Sequence, residues 1–398
     1  MTVSDRLLEF FCDKGIKHVF LIPGAQIDPL INASINLDAI SIIIPNHELS
    51  AGYMADGYAR ISSNIGVVFS IGSCGATNLI AAAVNTRIEK SPVVFVTGSV
   101  SSSDYGSGCF QDTSKIGSND MAIFKEAIGY SLVCGDAEDI DKCINQIIDH
   151  TDKKRPFHLA IPLDIQQQEI NKHKVVLKNT NISVETVSNN YNQINQDINL
   201  LQKKELLTSL KYDIISLQTV MLTLEDVFMD NTVYCLDSGQ VRLAGNTYLG
   251  RKDNTFLLQS KKQAPMGWAI CASIGVKLAV PNRSVVAIFG DGSMRMHGIE
   301  LATAIRYNIP IVFVLCDNQA YGTIYSRYKE KESVELSYLD DVNWQTYVAS
   351  FGMKTFHVVD ESSLYFNLQE ASKLMQPCLV WIHIPIEDNI MQQQVYDL

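Results

Sequence analysis

The chain reads as an α/β protein of two domains, each a parallel sheet covered by helices on both faces. Three observations predict it. Short apolar runs rich in Val, Ile and Phe alternate with helical stretches over residues 1–170 and again over 205–398. Several runs end in turns such as Pro23-Gly24, Gly72-Ser73-Cys74-Gly75 and Gly290-Asp291-Gly292, so functional residues should gather at the C-terminal ends of the strands. Between the two halves, residues 171–204 are rich in Asn, Gln, Lys and Ser without large apolar runs, which is the composition of a linker.

The first domain opens with a helix over residues 4–14, capped by Ser4 and stopped by Gly15. A strand at 18–22 follows, then the turn Pro23-Gly24-Ala25 and a helix to about Asn36. Strand 41–44 leads into Asn46-His47-Glu48 and a helix through Arg60. Strand 67–71 leads into the Gly72 loop and a helix through Lys90, strand 93–97 ends in a loop over 98–113, and strand 157–161 follows. In the second domain strands are expected at 232–236, 285–289, 311–316, 354–359 and 379–384, with helices at 268–280, after Asp291, and at 362–375. The Glu48 helix carries Ala51, Ala55 and Ala59 at every fourth position beside Gly52 and Gly57. Such a face lets another helix approach closely, as at a tight subunit interface.

Composition narrows the function. With 46% hydrophobic residues among 398, the chain can fill two cores. No apolar run approaches the roughly 20 residues that span a bilayer, and MTVSDRLLEFF begins as an amphipathic helix, so a cytoplasmic location is expected. Nine scattered cysteines without a C-x-x-C pair read as reduced thiols. A net charge of −11 argues against a nucleic-acid partner and against an anionic membrane surface.

The most informative stretch is 284–322. An apolar β-branched strand ends in Gly290-Asp291-Gly292, a helical stretch follows, and a second strand ends at Asp317-Asn318. A βαβ unit makes the two strands parallel, and their C-terminal ends then share one edge. If they are neighbours, the Asp291 carboxylate and the Asn318 amide converge, and hard oxygen ligands of this kind suit Mg²⁺. Gly290 and Gly292 let backbone N–H groups approach a phosphate.

This pattern, with Asn318 placed 27 residues after Asp291, resembles the thiamine diphosphate signature of the acetohydroxyacid (acetolactate) synthase and pyruvate decarboxylase superfamily. The resemblance implies two thiamine diphosphate-binding domains, with Mg²⁺ held by Asp291, Asn318 and the backbone carbonyl of Ala320. It implies that Gly290, Gly292 and Ser293, with Ser238, Gly239 and Gln240, meet the diphosphate, and that Tyr321 and Gly322 flank it. Ala264 and Met266 match the segment whose backbone bonds the aminopyrimidine, and Met296, five residues past Asp291, matches the bulky residue that bends the cofactor. In the first domain, Pro23, Gly24, Gly72 and Asn78 are implied cofactor contacts. Glu48 looks like the catalytic glutamate that hydrogen-bonds an aminopyrimidine nitrogen. Phe110-Gln111-Asp112 resembles a substrate segment in which Gln111 donates to a keto-acid oxygen. Ala25 and Lys125 are further substrate candidates, although an exposed lysine is more often plain surface.

The sequence departs from the family in four places. Asp317 stands where the family has a first asparagine, adding negative charge beside the metal, and Cys74 stands where the Gly72 loop commonly has proline. No His-His pair occurs, which lowers the simple-decarboxylase reading. The polar stretch 171–204 leaves no room for the central domain, so no FAD is expected. The function implied is decarboxylation of a 2-oxo acid and transfer of the resulting acyl carbanion to an acceptor carbonyl. The alternatives are a phosphonopyruvate- or sulfopyruvate-type decarboxylase and a cofactor-binding regulatory protein without turnover. The expected assembly is a homodimer or dimer of dimers whose active sites are shared between chains.

Overall fold

The computed structural model describes residues 1–170, 215–228 and 230–386, so the expected linker at 171–204 lies outside the described residues. The first half runs α1 (Val3–Asp13), β1 (His18–Leu21), α2 (Asp28–Ile35), β2 (Ser41–Ile43), α3 (Glu48–Ser62), β3 (Gly66–Ser70), α4 (Cys74–Asn78), α5 (Ile80–Glu89) and β4 (Val93–Ser99). It continues with α6 (Asp120–Ile128), β5 (Leu132–Val133), α7 (Ile140–Thr151), β6 (Phe157–Pro162) and α8 (Leu163–Gln167). The second half runs α9 (Leu217–Val227), β7 (Thr232–Leu236), α10 (Gln240–Tyr248), β8 (Phe256–Gln259), α11 (Trp268–Ala279), β9 (Ser284–Gly290), α12 (Asp291–His297) and α13 (Leu301–Arg306). It ends with β10 (Val312–Asp317), α14 (Gly322–Tyr328), α15 (Trp344–Ala349), β11 (Lys354–Val358), α16 (Glu361–Ser372) and β12 (Cys378–His383).

Both sheets are entirely parallel, as the alternation of strand and helix requires. The first has the order β2-β1-β3-β4-β6-β5. The second, taken from its β8 edge, has the order β8-β7-β9-β10-β12-β11, which is the same topology repeated. In each half one long helix follows the second strand: α3 after β2, and α11 after β8.

Those two helices pack on each other. The Trp268 indole N–H donates to Asp56 at 2.8 Å, the Arg60 guanidinium lies 5.0 Å over the Trp268 ring, and Gly275 meets Met54. The helices are therefore antiparallel. Glycine is required at the crossing, because a Cβ on Gly275 would overlap the Met54 carbonyl and one on Gly57 would overlap the Ala272 carbonyl. Ala51, Ala55 and Ala59 are buried in this core together with Phe95 of the first sheet and Phe289 and Phe313 of the second. The small-residue face expected at a subunit interface is thus used inside the chain, where it joins the two sheets. Two further apolar clusters cover the outer faces of the sheets.

Other expectations shift in detail. The cap of α1 is Thr2, whose side chain accepts from Asp5 N, while Ser4 donates to the Gln166 carbonyl. The helix expected through Lys90 is broken at Leu79 into α4 and α5. The edge strands β5 and β8 add to the strands read from sequence. All nine cysteines are free, and no helix among the described residues is long and apolar enough to cross a membrane.

Candidate active site

The loops after β7, β9 and β10 enclose a cavity of about 200 Å³. Ser238, Gly239, Gln240, Met266, Gly290, Asp291, Gly292, Ser293, Asn318, Ala320, Tyr321 and Gly322 all line it. The family resemblance implied each of them as a cofactor or metal contact. Cys316, Thr323, Ile324 and Ile384 also contribute to the wall, and no residue of the first domain does. Ala264 stands just behind, in a left-handed conformation, with its carbonyl accepting from Ser238 Oγ at 2.6 Å. Met296 stands apart from the others. It lies outside the cavity and is 52% exposed, because five residues along α12 carry it away from the sheet edge. The methionine that enters the cavity is Met266, whose methyl group abuts Gly292.

Asp291 is 3% exposed, and its Oδ2 has no hydrogen-bond partner. Burial, and secondarily the Asp317 carboxylate, push its carboxyl up to about 7. Asn318 is held by its neighbours: its Nδ2 donates to Gln240 Oε1 at 3.1 Å, and its Oδ1 accepts from Ala320 N at 3.2 Å. Gly322 must be glycine, since a Cβ would collide with both of those amides. One unpaired carboxylate oxygen, one amide oxygen and the Ala320 carbonyl form a hard donor set that fits Mg²⁺. No cluster of three His, Cys, Asp or Glu side chains suited to another metal occurs among the described residues. Asp317 is not part of the cavity; its Oδ2 accepts from two tryptophan indoles.

One organising residue was missed from sequence. Asp237 is buried, and its carboxylate accepts from Ser238 N, Gly267 N, Ala269 N and Ser293 Oγ at 2.8–2.9 Å. It thereby ties the β7 loop, the start of α11 and the Ser293 side chain to one point. Burial raises its carboxyl above the ordinary value, and the four donors pull against that rise.

In the first domain, Glu48 begins α3 half-buried, and its Oε2 accepts from Asn78 Nδ2 at 3.0 Å. The Gly72 N–H donates to Gln26 Oε1 at 2.8 Å, and Gln111 Nε2 reaches Cys74 Sγ at 3.4 Å. Gln26 is a second residue that sequence reasoning missed. It also contacts the Gln111 carbonyl, so it joins the loops after β1, β3 and β4. Glu48, Gly72, Asn78 and Gln111 thus share one edge of the sheet. Pro23, Ala25 and Phe110 are exposed on the rim with Gly24 half-buried beside them, and Phe110 reaches 85% exposure. Lys125 lies on the exposed side of α6, and no described contact joins it to the Glu48 group.

Glu48 stands roughly 12 Å along the α3 axis from Asp56, the residue that meets the start of α11. Among the described residues no hydrogen bond joins Glu48 to the Asp291 cavity.

Comparison with known proteins matches the two halves separately. Residues 1–119 match "Thiamine pyrophosphate enzyme, N-terminal TPP binding domain", and residues 237–382 match "Thiamine pyrophosphate enzyme, C-terminal TPP binding domain". The putative acetolactate synthase large subunit IlvB2 of Mycobacterium tuberculosis is 31% identical over 180 residues, covering 44% of this chain and 32% of that protein. The acetolactate synthase large subunit of Haemophilus influenzae is 30% identical over 163 residues, 40% of this chain and 28% of that protein. Matches of this kind span a third or less of those relatives. The acetolactate synthase large subunit of Porphyra purpurea is 21% identical over 543 residues, covering 96% of this chain and 92% of that protein. That alignment is longer than the chain itself, so the relative carries residues that this chain lacks. With both sheets and the two matched domains in agreement, the chain belongs to the thiamine pyrophosphate enzyme family and carries both of its thiamine pyrophosphate-binding domains.

Proposed function

We propose that the chain is an Mg²⁺-dependent, acetolactate-synthase-like enzyme that decarboxylates a 2-oxo acid and joins the remaining acyl unit to an acceptor carbonyl. One observation carries the reading above the others. Asp291 is buried with an unpaired carboxylate oxygen, in a cavity that also holds the Asn318 amide and the Ser238-Gly239-Gln240 loop. A buried carboxylate oxygen without a donor is costly until a cation meets it. When bound, thiamine diphosphate supplies the electron sink for loss of carbon dioxide. In this reading Asp291, Asn318 and the Ala320 carbonyl hold the ion, and Ser293, oriented by Asp237, faces the diphosphate. Glu48 exchanges a proton with an aminopyrimidine nitrogen, and Gln111 donates to the substrate's keto oxygen.

We infer further that each site is completed by a second copy of the chain. Two features support this: the Asp291 cavity is lined by the second domain alone, and the Glu48–Asn78 pair faces solvent at the far end of α3. Neither group is complete without the other. A simple 2-oxo acid decarboxylase of the phosphonopyruvate or sulfopyruvate type is favoured by one observation, the block of residues present in long acetolactate synthase relatives and missing here.

The test is carbon dioxide release and product mass across a panel of 2-oxo acids, with thiamine diphosphate and Mg²⁺ present. A product joining two substrate units supports the carboligase. Aldehyde alone supports the decarboxylase, and no carbon dioxide from any acid contradicts both.

A further inference from the structure

Asp317 departs from the family's asparagine, and its surroundings explain why a carboxylate stands there. It closes β10, 3% exposed, and its Oδ2 accepts from Trp344 Nε1 at 3.1 Å and from Trp381 Nε1 at 2.9 Å. Its Oδ1 accepts from Gln319 N at 3.1 Å. Both tryptophans are buried, one opening α15 and the other in β12 beside β10. An indole N–H and a backbone N–H only donate, and a carboxylate only accepts. Three donors therefore converge on two acceptor oxygens. An asparagine amide would turn its own NH₂ toward one of those donors and leave it unpaired. The pocket is chemically specific for aspartate.

The clamp also shapes the metal loop. Gln319, whose N–H Asp317 accepts, takes a left-handed backbone, and the next residue, Ala320, donates its N–H to Asn318. Asp317 Oδ2 faces the indoles, away from the cavity, so its charge acts on the Asp291–Asn318 pair through space and through this turn.

We propose that the Trp344–Asp317–Trp381 clamp is a positioning device that tightens divalent-cation binding at Asp291 and Asn318, by fixing a negative charge beside them that touches neither the ion nor the cofactor. It rests on the reading that Asp291 and Asn318 bind the ion. The probe is Mn²⁺, titrated by calorimetry into protein saturated with thiamine diphosphate. Asp317→Asn should bind Mn²⁺ about tenfold more weakly than the native chain, and most of the gap should persist at high ionic strength, because charges buried this deeply are screened little. Trp381→Phe keeps the charge and should lose less than threefold, which keeps the proposal testable even if Asp317→Asn fails to fold. Equal Mn²⁺ affinity in Asp317→Asn and the native chain, or a tenfold loss in Trp381→Phe, would each overturn it. Failure of the native chain to bind Mn²⁺ at all would instead remove the metal reading beneath it.

Discussion

The two sheets share one strand order, and the residues after equivalent strands do different chemistry. After the second strand, the first domain places Glu48 at the start of α3, whereas the second domain places Ala264–Met266 just before α11. After the third strand, the first domain has the Gly72 loop and the second has Asp291 and Ser293. One edge encloses a cavity around an unpaired carboxylate, and the other presents a carboxylate to solvent. In the proposed reading, a repeated fold is divided into an ion-binding half and a proton-transfer half. Their common core, α3 on α11, fixes how the two edges are disposed.

The largest effect should separate the two halves functionally. Glu48→Gln should leave thiamine diphosphate affinity within about threefold while slowing exchange of the cofactor's thiazolium proton by about 10²–10⁴-fold. Deuterium exchange followed by NMR after acid quench measures it. An unchanged exchange rate would deny the first domain its role.

A smaller effect tests the shared core. Gly275→Ala drives a Cβ into the Met54 carbonyl, whereas Gly135→Ala meets nothing within 4 Å. Urea unfolding should show a loss of about 2–3 kcal/mol for the first and under about 1 kcal/mol for the second. Equal losses would mean that the helix crossing does not limit stability.

A further effect concerns acid. His158 is fully buried between Thr97 and Ser131, stacked on Phe124, and burial pushes its imidazole down to about 3. The unfolded chain takes up near pH 6.5 the proton that the native ring refuses. Stability is therefore full above about pH 6.5 and falls by up to about 1.4 kcal/mol per pH unit below it, toward pH 3. Burial also pushes His18 and His297 down to about 4, so His158→Gln should reduce the slope between pH 6.5 and 5 in urea titrations without abolishing it, and an unchanged slope would assign the acid sensitivity elsewhere.

Much of this arrangement was legible in the sequence because strand ends are marked by glycine and aspartate, and parallel topology brings such ends together. Asp291, Asn318, Ser238 and Glu48 all fell where that rule put them. The edge strands were not legible. Leu132–Val133 is too short to show a period, and Phe256-Leu257-Leu258 is an apolar run of three, too short to tell a strand from a helix by periodicity. Asp237 and Gln26 were missed for another reason: a buried polar residue that ties loops together carries no local pattern, and its partners are defined only once the chain is folded. Counting along the sequence does not give the direction of α12, which sets Met296 outside the cavity. The alanine face of α3 was read correctly as a close-packing surface, but sequence does not say whether the partner helix is in the same chain.

The central claim is that the ion-binding half of one chain works with the proton-transfer half of another. Mixing inactive Glu48→Gln and Asp291→Ala proteins under conditions of subunit exchange tests it most directly, with native mass spectrometry to count heterodimers. Random exchange should leave about a quarter of all sites free of both substitutions, and carbon dioxide release should return to about that share of the native rate. If heterodimers form and the mixture stays inactive, the site is not shared between chains.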